Sequence, residues 1–384
     1  LGPRAPQKRR PSRATRLLRT IGALLAIFAL IIGWSIGHVM GEPGGDTAAA
    51  RLAEWARDHY LAAVVNNLEA LQYKLNPPKV GGRPDASALA QLNNPAAQSP
   101  PPKVAKVGPV IPMHAALAPV APGSIPGEGI FRPLVYVNGQ PAVQGTYMRP
   151  DAVHTSYLDG VVWMSGKLLR YELHPGFADP GNLPQWNQPD WIPPNARTGL
   201  VATFNGGFKT PEARGGFYEN GHVAGVMVPN AASFVIYKDG HVNIGNWGGE
   251  VSMTPDVVAV RQNLYMLIDN GQIAGNLNSN IEASWGLTIG GGYAVWRSGV
   301  GITANGDIVQ VMGDALTVQS LANLLQRAGA VRAMEMDINP AWMSFMYYTP
   351  GTPWPVPHKL VDFQRPADRY YTPTSRDFFA VYAR

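Results

Sequence analysis

The chain contains no cysteine. That excludes thiol nucleophiles, disulfide frameworks and every thiolate-ligated metal site. With 384 residues, 46% of them apolar, it has core enough for one large domain or two small ones without disulfides. Charge is also scarce, at 15% of residues, against the usual ~25%. No G-x-S-x-G, H-E-x-x-H or P-loop occurs, and no internal repeat is evident. His154 and His174 flank the first apolar runs without a partner at metal spacing, and read as hydrogen-bonded turn residues.

The positive balance is confined to one end. Arg4, Lys8, Arg9, Arg10, Arg13, Arg16 and Arg19 all precede residue 20, with no acid among them. Setting those seven aside leaves 24 basic residues against 26 acidic. The high pI therefore reports a basic leader, and nucleic acid is not an expected partner. From Thr20 to Gly37 run 18 uncharged, mostly apolar residues. A helix needs ~20 such residues to cross ~30 Å of hydrocarbon, a length that Val39 and Met40 complete. The basic flank assigns 1–19 to the cytoplasm, 20–40 to a retained single-pass anchor in the cell membrane, and the main domain to the extracytoplasmic side. A cleaved signal peptide is the rival reading. Against it, the apolar run exceeds an h-region of ~7–15 residues and no A-x-A site follows His38. Arg9-Arg10 is a twin arginine, but the PSRATR after it matches an export signal poorly.

Glycine (42) and proline (35) are plentiful, which favours turns, short strands and linkers over a helical bundle. Residues 46–76 are expected to form an amphipathic helix capped by Asp46 or Thr47, with Leu52, Trp55, Tyr60, Val64, Leu68, Leu71 and Leu75 as its stripe and Pro77-Pro78 as its stop. That stripe could pack on the domain, self-associate or lie on the membrane surface. Residues 77–130 read as a Pro-rich extended linker, or as a wrap around the domain if Ile111 and Leu117 are buried. From Phe131 short apolar runs alternate with turns: Leu134–Val137, Val161–Met164, Leu168–Leu173, Leu200–Phe204, Ser233–Tyr237, Val257–Val260, Leu264–Ile268, Ala294–Trp296, Ile308–Met312 and Val331–Asp337. Asp239-Gly240, Asn270-Gly271 and Asn305-Gly306 carry the signature of tight hairpins. One helix stands out, capped by Thr317, burying Leu321, Leu324, Leu325 and Ala328, and stopped by Gly329. The fold class expected is α+β: a mainly antiparallel sheet domain with few helices over 131–384, preceded by one transmembrane helix.

Asn205-Gly206-Gly207-Phe208 directly follows a predicted strand. Paired glycines there allow positive φ and close approach to a ligand, although an ordinary turn explains them too. Gly290-Gly291-Gly292 is a loop and nothing more specific. Arg297 ends a strand before a glycine turn; its planar fork suits a phosphate or carboxylate, or a structural ion pair. Glu335 and Asp337 lie two apart on one strand and so on one face. Carboxylates that close repel, so one pKa should rise unless a cation or arginine lies between them. The pair suits acid/base work, or a hard cation such as Ca²⁺ or Mg²⁺ on Asp337 with Asn339 helping. Alternatively, Glu335 pairs with a basic neighbour and only Asp337 matters. Tryptophans are dense, and Trp186, Trp191 and Trp342, set among Pro and Asn, are the candidates for exposed sugar-stacking platforms.

Together these motifs resemble the phosphodiester glycosidase family, bacterial relatives of the enzyme that uncovers mannose 6-phosphate by removing N-acetylglucosamine from a phosphodiester. The family's Asn-Gly-Gly-Phe loop is similar to Asn205–Phe208 and its Arg-x-x-x-Gly strand end to Arg297–Gly301. Its Gly-Leu-Thr helix entry is similar to Ala315-Leu316-Thr317, and its strand ending in Asp-Gly-Gly-Gly-Ser to Met334-Glu335-Met336-Asp337. The resemblance covers about 130 to 380. It departs after Asp337, where Ile338-Asn339-Pro340-Ala341-Trp342 replaces the glycine run; either the chemistry is shifted or the site binds without turnover. The basic leader, the missing cysteines and the segment Met334–Pro340 look like an actinobacterial branch.

The resemblance implies a hydrolase of a sugar-1-phosphodiester or related glycosidic bond in envelope glycan, exopolysaccharide included. Arg297, Asn205, Gly206 and Gly207 would hold the phosphate. Asp337 would stabilise the oxocarbenium-like centre or activate water, Glu335 would orient it, and Asn339 and Trp342 would line the substrate. The alternatives are a non-catalytic envelope glycan-binding or scaffold protein on the same fold, and a regulator acting through the 46–75 helix.

Overall fold

The structure is a computed structural model describing residues 12–93, 110–181, 183–277, 285–286 and 294–384. The first eleven residues of the basic leader, part of the Pro-rich stretch (94–109) and Gly290-Gly291-Gly292 lie outside the described residues. The chain divides into two compact units: Leu1–Glu42 with Thr47–Val65, and Pro43–Asp46 with Asn66–Arg384.

In the first unit the apolar run forms the helix Arg13–Met40, with Ser12 accepting from the Thr15 N–H as its cap. None of its residues is buried, and an 18-residue window within it has a mean hydropathy of 2.1, apolar enough to cross a membrane, a property shared with signal sequences. At 1.5 Å per residue its 28 residues reach about 42 Å. Arg51 donates to the terminal carbonyls of Val39, Met40 and Glu42 at 3.0, 3.1 and 2.6 Å, cations being favourable at a helix C-terminus. The single helix expected over 46–76 is broken. It divides into Ala48–Ala56 and Ala62–Leu75 across His59 and Tyr60, the latter at φ +64°. Trp55 donates to Ser35 at 2.8 Å and stacks on His59, while Tyr60 is left wholly exposed. The apolar stripe therefore does not stay on one face.

The second unit is built from antiparallel strands, and every strand pairing among the described residues is antiparallel. The largest sheet has eight strands, in the order Arg132–Val137, Gln140–Met148, Asp159–Met164, Ile308–Leu316, Val295–Thr303, Ala330–Glu335, Met266–Asp269 and Gln272–Ile273. A five-stranded sheet runs Val356–Lys359, Phe345–Thr349, Leu200–Asn205, Phe378–Ala383, Leu169–His174. Another five-stranded sheet contains Val257–Gln262 between Phe217–Glu219 and Ala232–Tyr237. The expected hairpin dipeptides sit at turns with positive φ, including Asn270, Gly271, Gly240 and Gly306. Asn138-Gly139 and Asn220-Gly221 make the same turn and carry the same signal.

Helix Val318–Arg327 starts with a capping box between Thr317 and Ser320, and Gly329 follows its end at φ +96°. It buries Leu321, Leu324 and Leu325 on the eight-stranded sheet, where Gly299 leaves room: a Cβ there would lie 3.0 Å from Leu325 and 3.2 Å from Leu321. Residues 110–130 are no free tether. Ile111 and Leu117 are buried, and backbone N–H groups at 111, 114 and 117 donate to Gln140, Gln144 and the Gly129 carbonyl. Segment 43–46 is fastened too, Asp46 pairing with Arg365 at 2.6 Å and accepting from Ser375.

Candidate functional site

Three edges of the fold meet at the ends of Leu200–Asn205, Val295–Thr303 and Ala330–Glu335. In register, Gly299 opposes Glu335, and opposed residues share a face. Gly299 faces the helix Val318–Arg327, so Glu335 and Arg297, two residues from Gly299, face it as well. The Arg297 guanidinium accordingly donates to Glu335 Oε1 at 2.6 Å and to the Leu316 carbonyl at 3.0 Å, both side chains fully buried. Glu335 Oε2 is buried with no hydrogen-bond partner among the described residues. Burial pushes the Glu335 carboxyl up to about 7; Arg297 opposes the shift, and the Asp337 charge adds to it as the smallest cause.

Ser298 points to the opposite face. There Asn205 Nδ2 donates to Ser298 Oγ at 3.1 Å, Ser298 Oγ donates to the Asp337 carbonyl at 2.8 Å, and Asn205 Oδ1 accepts from the Ser344 N–H at 3.0 Å. Asn205 thus meets the strand Val295–Thr303 on the face opposite to the one from which Arg297 projects. Neither side chain is directed at a shared anion.

The strand expected to reach Asp337 ends at Glu335. Asp337 turns away from Glu335: Oδ2 pairs with Arg376 at 3.1 Å and Oδ1 accepts from the Asn339 N–H at 2.9 Å. Each acid has its own arginine, which is why mutual repulsion is a minor cause of the Glu335 shift. Arg376 also donates to the Gly207 carbonyl at 3.3 Å. A third buried pair, Arg261 with Asp377 at 2.7 Å, lies beneath the loop. Burial raises the Asp377 carboxyl and Arg261 opposes it.

The two glycines of the loop are explained by this packing. Neither Gly206 nor Gly207 has positive φ, contrary to expectation. A Cβ on Gly206 would lie 2.0 Å from Asp377 Oδ2, and one on Gly207 2.8 Å from Asn263 Oδ1. Asn263 accepts from the Phe208 N–H at 3.0 Å and donates to the Glu335 carbonyl at 2.8 Å, tying loop to strand. Asn263, Ser298, Arg376 and Asp377 were not singled out from the sequence. The one available signal was Ser375-Arg376-Asp377 standing immediately before the apolar run Phe378–Val381.

Two further expectations are corrected. Asn339 Oδ1 accepts from the Ala341 N–H at 2.9 Å, closing a turn. Trp342 is buried to 2% exposure, its ring flanked by Arg365, Arg369 and Arg376 at 4.9–5.6 Å, so it offers no platform. Trp186 is likewise buried, edge-on to Phe217. Among the described residues no group of three His, Asp or Glu could hold a metal. With Arg376 on one Asp337 oxygen and Asn339's oxygen committed to Ala341, this donor set does not fit Ca²⁺ or Mg²⁺. Ile338 packs on Phe208, Ala213 and Leu264.

The segment containing Asn205, Asn263, Arg297, Glu335 and Asp337 is the part of the chain that a known family matches. Residues 198–337 match the phosphodiester glycosidase family. The matched segment is narrower than the motif resemblance and excludes Trp342, Arg376 and Asp377. Among solved structures, the catalytic domain of zebrafish N-acetylglucosamine-1-phosphodiester alpha-N-acetylglucosaminidase, auto-inhibited by its pro-peptide, is similar at 13% identity. It covers 64% of this chain and 84% of that one, with a TM-score of 0.39. A hypothetical protein from Synechocystis is similar at 10% identity, covering 64% of this chain and 63% of that one, with a TM-score of 0.38. No curated protein matches the chain in sequence.

Proposed function

We propose that the chain is a membrane-anchored, extracytoplasmic hydrolase of the phosphodiester glycosidase type, acting on a sugar-1-phosphodiester or related glycosidic bond in envelope glycan. The observation that carries the reading is the pairing of Asp337 with Arg376 beside the Asn205–Phe208 loop, Asp337 and the loop both lying in the segment that matches the family. A phosphate leaves readily, so chemistry at the anomeric carbon needs mainly charge stabilisation and a positioned proton. Asp337 is the carboxylate for the oxocarbenium-like centre or the attacking water. Glu335, with its carboxyl near 7, exchanges a proton at neutral pH. Arg297 is engaged by Glu335 and positions it, so the anion-holding role passes to Arg376, which already joins Asp337 to the Gly207 carbonyl.

The test is turnover of aryl and nucleotide phosphodiesters of N-acetylglucosamine by the full chain in detergent. Asp337→Asn is expected to abolish it. Unchanged turnover in that variant would remove the role assigned to Asp337. Because the donor set around Asp337 is not a metal site, EDTA is expected to leave the rate unchanged. A glycan-binding scaffold is the second reading, favoured by the engagement of Asn205, Arg297, Glu335 and Asp337 with protein partners at no more than 4% exposure. Retention on cell-wall polymer with no product from any probe would select it.

A further inference from the structure

A cavity of about 360 Å³ opens beside the strands Val295–Thr303 and Ile308–Leu316, away from Asp337. Trp296, Asp314, Ser156 and Tyr157 line it, with Lys79 and Arg83 at the rim. The rim is fixed in place. The Lys79 N–H donates to Tyr157 Oη at 3.1 Å, the Gly81 N–H to the Val153 carbonyl at 2.7 Å, and Thr155 Oγ1 to the Gly82 carbonyl at 2.9 Å.

The polar lining has unmet demands. Ser156 Oγ is buried without a hydrogen-bond partner among the described residues. Behind the lining Asp159 is fully buried, its carboxyl pushed up by burial and hydrogen-bonded by the Asp314 backbone. That carboxylate lies against Gly313 of the cavity wall, 1.6 Å from where a Cβ would stand, so only glycine fits there. Asp314 adds a half-buried carboxyl whose upward shift has burial as its cause, with no cation or donor offsetting it. Buried acceptors without donors are costly, and a ligand rich in O–H groups relieves that cost.

Charge narrows the class. Lys79 and Arg83 oppose a bare cation, and Asp314, Asp85 and Asp362 oppose an anion. What remains is a neutral molecule with many hydroxyl donors and one apolar face for the indole. We propose that this cavity is a carbohydrate-binding site for one or two neutral pyranose units. Its volume lies in the ~300–1,000 Å³ range of ligand pockets. Trp296 stacks on the ring's CH face, and Asp314 and Ser156 accept its hydroxyls. The site uses none of the residues assigned to hydrolysis.

The experiment titrates the full chain, in a detergent without a sugar headgroup, with cellobiose, maltose, mannobiose and diacetylchitobiose. Tryptophan fluorescence and calorimetry read the binding; butylammonium and sulfate serve as charged controls. At least one disaccharide should bind saturably. Asp314→Asn should weaken it about tenfold, the scale of losing a charged hydrogen bond, and Trp296→Phe should weaken it measurably. Both variants should keep wild-type thermal unfolding. Asp337→Asn should bind as the wild type does, which separates this site from the hydrolase reading. Absence of binding by all four sugars at millimolar concentration, binding indifferent to Asp314→Asn, or Asp314-dependent binding of either control overturns the proposal.

Discussion

At the scale of single residues the site is a set of close approaches, and those set the cost of change. Gly206 is held by its neighbour's carboxylate: a methyl group there overlaps Asp377, itself locked to Arg261. Gly206→Ala is therefore expected to destabilise the protein by about 1–3 kcal/mol, the usual penalty for overpacking a rigid site. Chemical denaturation measures it, and a neutral result would mean that the loop yields to a methyl group. Glu335 carries a different signature. Its carboxyl titrates near 7 in the folded protein, against 4.5 ordinarily. Below both values it is protonated folded or unfolded and contributes no pH dependence. Between about 4.5 and about 7 the folded state holds the extra proton, so stability falls as pH rises through that window and levels off above it. Glu335→Gln should lack this slope, compared by melting temperature at pH 5 and pH 8. If protonated Glu335 supplies the proton in turnover, kcat/KM should fall above about pH 7 in the wild type.

At the scale of elements, what could be read from the sequence was local. Turn dipeptides, the Thr317 cap and the Gly329 stop are written in adjacent residues, and the corresponding turns and helix follow them. Partners were not legible. Strand alternation predicts that Arg297 and Ser298 point oppositely, yet not that Glu335 and Asn205 receive them, because register depends on distant chain. For the same reason Arg376 and Asp377 escaped notice until Phe378–Ala383 was seen to pair with Leu200–Asn205. The break at Tyr60 escaped because a stripe of apolar spacings does not reveal a positive φ. Segment 43–46 shows how much a short element can carry. Asp46 neutralises Arg365, whose side chain is almost fully buried. Asp46→Ala removes that buried ion pair, an expected loss of about 3–5 kcal/mol. Thermal unfolding of the globular unit would show it, and an unchanged transition would mean the segment is not fastened there.

At the scale of the whole molecule, the site draws on more chain than the family match contains. Residues 198–337 supply Asn205, Arg297, Glu335 and Asp337, but Arg376 and Asp377 come from the strand entry that closes the sheet, and the helix-side packing depends on Val318–Arg327. If the proposed extracytoplasmic location holds, the globular unit is exported whole, which places the remaining weight on the N-terminal helix. An apolar helix of 28 residues with none buried, and with Arg13, Arg16 and Arg19 in its first turns, is expected to stay in the bilayer with its basic end in the cytoplasm. The full chain should then remain in the membrane pellet after alkaline carbonate, and deletion of residues 1–40 should release the cytoplasmically made product to the soluble fraction. Protease added to intact spheroplasts should digest the globular unit while a tag at the N-terminus stays protected. A mature protein whose N-terminal residue lies beyond Met40 would instead identify the helix as a cleaved signal. That outcome would remove the anchor but keep export.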